Sequence, residues 1–242
     1  MDIYVQKLIT VSPKKLMGKN CSEIHLSGTN LNIPFINNDE NLSMDKKFLI
    51  SLKEIKNEIR TIKKNVNTII IKNGEPCLQR LALKTLCKFI KSEGMFVALE
   101  TYGTKPNVLN NLLEEKLIDI VILKLYFPIQ ERWLSKINKG TLLTNNKDII
   151  SDIKKSIGIL SRYTNIKLHV VTKIVPSFLY RTTDLNRIGN LIKNIHHCIW
   201  ELIPFNPEDS NNNFSHVKSP SEEFIEELKE HMNSNFPMIH VR

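Results

Sequence analysis

The sequence predicts an α/β protein: a full or partial (β/α) TIM-like barrel of about six to seven βα units. Three observations lead there. Short β-branched runs alternate with stretches of helical period from Glu23 onward, capping signals stand at the junctions, and the run Ile120 to Leu123 is fully apolar, as in a parallel strand buried on both faces. A doubly wound open sheet shares this periodicity, so that topology stays open beside the barrel.

In chain order, Glu23 to Ser27 is the first expected strand. Ser51-Leu52-Lys53-Glu54 reads as a capping box, after which Leu52, Ile55, Ile59, Ile62 and Val66 share one helical face. Strand Thr68 to Ile71 follows. The stripe Leu78, Leu81, Leu86, Phe89, Ile90 makes a second helix, which Gly94 ends before strand Met95 to Leu99. Pro106 opens the next helix at its first turn, leading to strand Ile120 to Leu123.

Residues 127–146 have no clean period and read as a long crossover or lid. Helical spacing resumes from Ile149 to Leu160, then Ile166, Leu168 and Val170 alternate as a strand. Leu185 to Ile195 gives a helix before strand Cys198 to Ile203. Asn206 to Lys218 is a polar loop. Ser219 is the expected cap, and Pro220 the first position, of a last helix running through Met232, and Met238 to Val241 is positioned to close the sheet. One domain is expected over 1–242, with 1–22 as an N-terminal extension.

The chain carries 34 Lys and Arg against 25 Asp and Glu, a net charge of +9. That balance admits an anionic partner such as RNA or an acidic protein face, and equally plain solvation of helix surfaces by lysine. Cys21, Cys77, Cys87 and Cys198 are scattered, without the close pairing of a metal site or the density of a disulfide scaffold. No apolar run approaches the ~20 residues of a membrane span, and Met1 to Asn20 lacks the pattern of a signal peptide, so a cytoplasmic protein is expected. His25 and His169 fall within strands, as satisfied core or lumen histidines; His196-His197 reads as surface. Walker, nucleophile-elbow and H-E-x-x-H patterns are absent.

Leu26-Ser27-Gly28-Thr29-Asn30-Leu31-Asn32-Ile33-Pro34-Phe35-Ile36-Asn37-Asn38 resembles the cluster loop of the radical S-adenosylmethionine (SAM) enzymes, F-x-G-C-N-L-x-C-P-F/Y-C-x-N. Asn73-Gly74-Glu75-Pro76 with Leu78-Gln79 resembles that family's G-G-E-P-x-L-Q, and Glu100-Thr101-Tyr102-Gly103-Thr104 its E-T-N-G-T. Ile174-Val175-Pro176 and Val241-Arg242 are similar to later landmarks of its archaeal-type activating enzymes for ribonucleotide reductase and pyruvate formate-lyase. The ordered set extends from Glu23 to the C-terminus.

The resemblance implies a radical SAM fold in a degenerate form. In the family, three cysteines hold a [4Fe–4S] cluster whose fourth iron binds SAM, and those positions are Thr29, Ile33 and Ile36 here. Neither a hydroxyl nor an alkyl chain replaces thiolate. Asn73, Tyr102, Lys124 and Val171 also stand where SAM contacts are expected. Phe35, Gly74, Glu75, Pro76 and Thr101 are then vestigial cofactor-binding positions; the plainer reading makes Gly74-Glu75-Pro76 a structural turn and Phe35 a core residue. No catalytic residue and no metal ligand is assigned.

On this reading the chain is expected to be a catalytically silent protein-binding or regulatory subunit, with no cofactor, no [4Fe–4S] cluster and little or no SAM binding. Its partner would be an active relative or a macromolecular substrate of the family. Trp133, Arg132, Ile129, Leu134, Ile137, Lys136 and Lys139 in 127–146 have the mixed composition that interfaces favour, and equally that of a lid packed over a vacated pocket. Two alternatives stand beside it: an RNA-binding or RNA-processing subunit, and a cluster-independent enzyme with a rebuilt SAM or nucleotide pocket.

Overall fold

Among the described residues, nine strands form one sheet. The computed structural model describes residues 1–9, 16, 18–36, 44–131, 133–134, 146–195, 198–210 and 214–242. The strands are β1 (Asp2–Ile9), β2 (Cys21–Leu26), β3 (Leu49–Ser51), β4 (Thr68–Lys72), β5 (Phe96–Thr101), β6 (Ile120–Lys124), β7 (Lys167–Ile174), β8 (Cys198–Pro204) and β9 (His240–Val241). The helices are α1 (Leu52–Ile62), α2 (Arg80–Ser92), α3 (Pro106–Glu114), α4 (Asn146–Leu160), α5 (Thr182–Ile192) and α6 (Glu222–Asn235).

The strand order is β3-β1-β2-β4-β5-β6-β7-β8-β9; β1 pairs antiparallel with β2 and β3, and the strands from β2 onward in that order are parallel and follow one another in sequence. A doubly wound sheet reverses its strand order at a switch point. Here none occurs, which leaves an open barrel-type sheet and settles the topology that periodicity could not.

Alternation along the strands sorts the two faces. Ile69, Ile71, Val97, Leu99, Val121 and Leu123 pack toward the helices, which bring Ile55, Ile59, Leu83, Leu86, Ile90 and Leu112 to the same core. Cys21, Ile70, Ala98, Ile120, Ile122 and Val171 form a smaller apolar cluster on the other face. In the helix-side core the Trp200 indole donates to the Thr172 hydroxyl at 2.9 Å, with both side chains enclosed. An indole N–H in such a place needs that acceptor.

Local signals explain the element ends. The Ser51 hydroxyl caps α1 by accepting from the Lys53 amide, Gly94 takes φ 77° after α2, and Pro106 occupies the first turn of α3. The last helix differs from expectation: its cap is Ser221, whose hydroxyl accepts from the Phe224 amide, so Pro220 lies outside it. Within the segment 1–22, Asp2–Ile9 is a strand antiparallel to β2 and β3. A register shift between Val5 and Lys7 breaks its alternation. No described helix is long and apolar enough to cross a membrane.

Candidate functional site

The C-terminal ends of β4, β5 and β6 meet the segment that follows β2, where a barrel-type sheet places its chemistry. After β4 the chain turns through Asn73 (φ 72°) and Gly74 (φ 52°), both left-handed. Asparagine tolerates that region better than most residues, and the Asn73 side chain is fixed by a 2.6 Å hydrogen bond to Gln6 on β1. Asn73 can therefore stand where the family pattern has glycine. Gly74 cannot be replaced so simply, because a Cβ there would lie 2.2 Å from the Gly28 carbonyl oxygen. The Glu75 amide donates to that same oxygen at 2.9 Å, docking the 27–36 loop onto the end of β4.

Glu75 is fully buried, and its carboxylate is an acceptor hub. It receives the Cys77 amide at 3.1 Å, the Thr101 hydroxyl at 2.8 and 2.9 Å, and the Tyr102 amide at 3.0 Å; the Thr104 hydroxyl lies 3.3 Å away. Thr104 also reaches Asn30 of the loop at 3.1 Å. One buried carboxylate thus ties the β4 turn, the end of β5 and the 27–36 loop together. Its charge is tolerable because several donors replace its lost hydration. Cys77 sits against it, and burial first, then the Glu75 charge, pushes that thiol well above its usual range.

Gln79 extends the frame toward β1. Its amide oxygen accepts from the Tyr4 amide at 2.8 Å, while its nitrogen donates to the Tyr4 and Ser27 carbonyls at 2.9 and 3.1 Å.

A second polar set lies on the sheet face opposite the helices. Glu23 meets His25 Nε2 at 2.8 Å and Lys72 Nζ at 3.6 Å. Lys124 Nζ meets Glu100 Oε1 at 2.9 Å and stands 4.1 Å from the Tyr102 ring centroid. Tyr102 and Tyr126 pack edge to face, 6.1 Å apart. Burial opposes the Glu100 charge, but Lys124, Lys72 and the Asn73 amide outweigh it and hold the carboxyl below the usual range. Burial lowers the Lys124 pKa, but the Glu100 carboxylate beside it outweighs that and raises it above the usual lysine range. Further along, Arg242 meets His169 Nε2 at 2.8 Å and Glu201 at 3.8 Å. Burial and then the Arg242 charge lower the His169 pKa.

The expected site residues are distributed as follows. Gly74, Glu75, Pro76 and Thr101 come together in the first set. Phe35 is fully buried against Phe178, Phe205 and Phe214, with ring centroids 5.1 to 6.5 Å away. Thr29 Oγ1 turns back on Leu31, bonding both its amide and its carbonyl at 3.1 Å; Ile33 is fully buried and Ile36 half-buried. Those three side chains do not fit a cluster held by thiolates of this loop. The cysteines Cys21, Cys77, Cys87 and Cys198 are free and buried, and no metal-binding group of His, Cys, Asp and Glu occurs among the described residues.

In the 127–146 segment, Phe127, Ile129 and Leu134 are buried, and Trp133 stacks edge-on against Phe178 at 4.9 Å. Arg132, Lys136, Ile137, Lys139 and His196-His197 lie outside the described residues. Gln79 stood in the motif read from the sequence, whereas Lys72 and Glu23 were missed; for Lys72 the signal available was a charged residue at the end of an otherwise apolar strand.

The fold, an open and mostly parallel α/β sheet, is shared with several solved structures. No family model matches the sequence. Over 232 residues it is 26% identical to a protein of Methanocaldococcus jannaschii named as a putative glycyl-radical enzyme activating enzyme, covering 94% of this chain and 91% of that protein. A structure of TYW1 with a lysine-pyruvate adduct bound superposes with a TM-score of 0.65 at 13% identity, over 93% of this chain and 80% of that one. Streptococcus suis SuiB bound to SAM superposes at 0.60 with 13% identity, over 88% of this chain and 47% of SuiB.

Two expectations are corrected by this likeness: a catalytically silent binding subunit, and a chain with no cofactor and no [4Fe–4S] cluster. The relative that matches from end to end is named as an activating enzyme, and the structural neighbours include cofactor-bound enzymes. Those expectations extended the departures at Thr29, Ile33 and Ile36, with those at Asn73, Tyr102, Lys124 and Val171, to the function of the whole chain. The Glu75 and Glu100–Lys124 networks at the strand ends stay polar and partnered.

Proposed function

We propose that this chain is a radical-SAM-fold enzyme of the activating-enzyme type, acting on a protein or peptide with SAM as its small-molecule ligand. The observation that carries this reading is the end-to-end likeness to the Methanocaldococcus jannaschii protein, whose name brings with it a protein substrate. The SuiB structures, one bound to SAM and one bound to the precursor peptide SuiA, support the two ligand classes on a shared fold.

In this proposal the backbone turn at Asn73-Gly74 is the ligand-facing part of the site. Glu75, Pro76 and Thr101 position it from below, and Phe35 holds the loop beside it. Thr29, Ile33 and Ile36 make the loop a degenerate cluster loop, the point of greatest departure from the family pattern. The Glu100–Lys124 pair supplies a fixed, desolvated dipole at the mouth, and Tyr102 and Tyr126 wall it from water.

Calorimetric titration of SAM into anoxically prepared protein tests the ligand. Saturable binding in the micromolar range, about −8 kcal/mol, is expected, with adenosine binding more weakly and Glu75→Gln reducing the affinity. No saturation at millimolar SAM refutes it.

A further inference from the structure

We propose that the cationic flank of α1, together with α2, is a docking surface for an acidic protein face. The surface lies outside the sheet, away from the site described above. Helix α1 separates its charges by sign. Lys53, Lys56 and Arg60 line a groove of about 350 Å³ shared with Thr85 of α2. Glu54 and Glu58 line a different groove, against Val5 and Lys7 of β1. Amphipathicity does not require that division; a helix that merely needs solvation can mix its charges around the polar face. Helix α2 continues the sign, with Lys84, Lys88 and Lys91 and no carboxylate.

Three carboxylates orient these cations without cancelling them, Asp119 among them through Lys91 at 2.6 Å. Glu93 receives Arg60 Nε at 3.2 Å and Lys63 Nζ at 2.7 Å, and Glu115 pairs with both Lys84 and Lys88. Glu93 is 14% exposed, against 57% and 43% for its two cations, so that group presents a net positive charge outward. Two cations forked on one recessed carboxylate are held in place for a second, incoming carboxylate.

The chemistry favours a protein face over RNA. The aromatic ring on this surface, Phe89, carries the Lys56 ammonium 5.2 Å and the Arg60 guanidinium 5.1 Å from its centroid. A ring covered in this way offers no platform for a base to stack on, which single-stranded nucleic acid binding uses. Isolated carboxylates spaced along a helix or strand match cations spaced by one helical turn on two adjacent helices.

The test is fluorescence anisotropy of a labelled polyglutamate peptide, and separately of oligouridylate, titrated with the whole chain at low and at physiological salt. Lys56→Glu/Arg60→Glu and Lys84→Glu/Lys88→Glu should each weaken polyglutamate binding by roughly tenfold. Lys154→Glu/Lys155→Glu on α4 changes net charge equally and should cost less than about twofold. Equal loss in the α4 control, or oligouridylate binding more tightly than polyglutamate, overturns the proposal. If a charge-reversed pair melts earlier than the parent, the corresponding double Gln variants make the same comparison.

Discussion

Replacing Lys124 by methionine keeps most of the side chain's volume and removes its charge from the buried pair with Glu100. The carboxylate then loses a partner 2.9 Å away in a place where water compensates poorly. Stripping one member of a buried pair typically costs 3–5 kcal/mol, on the order of the charge's desolvation. Glu100 retains the Lys72 charge and the Asn73 amide, so about 2–3 kcal/mol is expected for Lys124→Met. Glu100→Gln with Lys124→Met removes both charges and should recover most of that loss, with a coupling energy of about 1.5 kcal/mol or more. Urea unfolding of the four proteins of this cycle measures each value. The pH dependence has a definite sign. The folded-state carboxyl of Glu100 is lowered, so its contribution is complete above the ordinary value of 4.5 and is lost as pH falls through the lowered one. The gap between parent and Lys124→Met should therefore narrow in acid. A cost below about 0.5 kcal/mol at neutral pH, or additive single variants, would refute the assignment of this pair as a buried, mutually dependent unit.

Gly74→Ala places a Cβ against the Gly28 carbonyl in left-handed backbone, and thermal unfolding should show a loss of about 2–4 kcal/mol, whereas Asn73→Gly should be nearly neutral. Thr172→Val orphans the Trp200 indole N–H and should cost about 1–3 kcal/mol in denaturant unfolding. Cys87 and Cys198 are each pushed up to about 12 by burial, so iodoacetamide should label neither in the native protein at neutral pH and both in urea, read by mass spectrometry. His169 has a lowered folded-state pKa; its contribution is complete above about 6.5 and is lost as pH falls, so His169→Gln should flatten the stability profile just below that value.

The βα units were legible because each helix carries its own apolar stripe and cap: Ser51, Gly94 and Pro106 all act where their chemistry places them. The first strand was not. Ile3 and Val5 begin an alternation, the shift between Val5 and Lys7 interrupts it, and a single bulge is enough to hide period two in a run of eight residues. The cap of the last helix was misplaced because Ser219 and Ser221 flank Pro220, and backbone geometry rather than residue type chooses between them. Within the site, Glu75 and Thr101 were visible as motif residues, but what unites them is three-dimensional. The Glu100–Lys124 pair and the Glu23–Lys72 pair each join two strands, and they exist only because parallel register places neighbouring strand ends level. Periodicity within one strand carries no such information.

Gln79 has a consequence for anyone handling this protein. Its amide behaves like a short stretch of strand backbone, giving and taking hydrogen bonds with Tyr4 while also holding Ser27, one residue before Gly28. Trimming the first nine residues would therefore leave both ends of that amide short of partners, directly beneath the loop whose docking defines the mouth. The opening strand is thus a foundation stone laid under the far wall, and a trimmed protein that still folds would be expected to misplace the 27–36 segment before any other part of the sheet gives way.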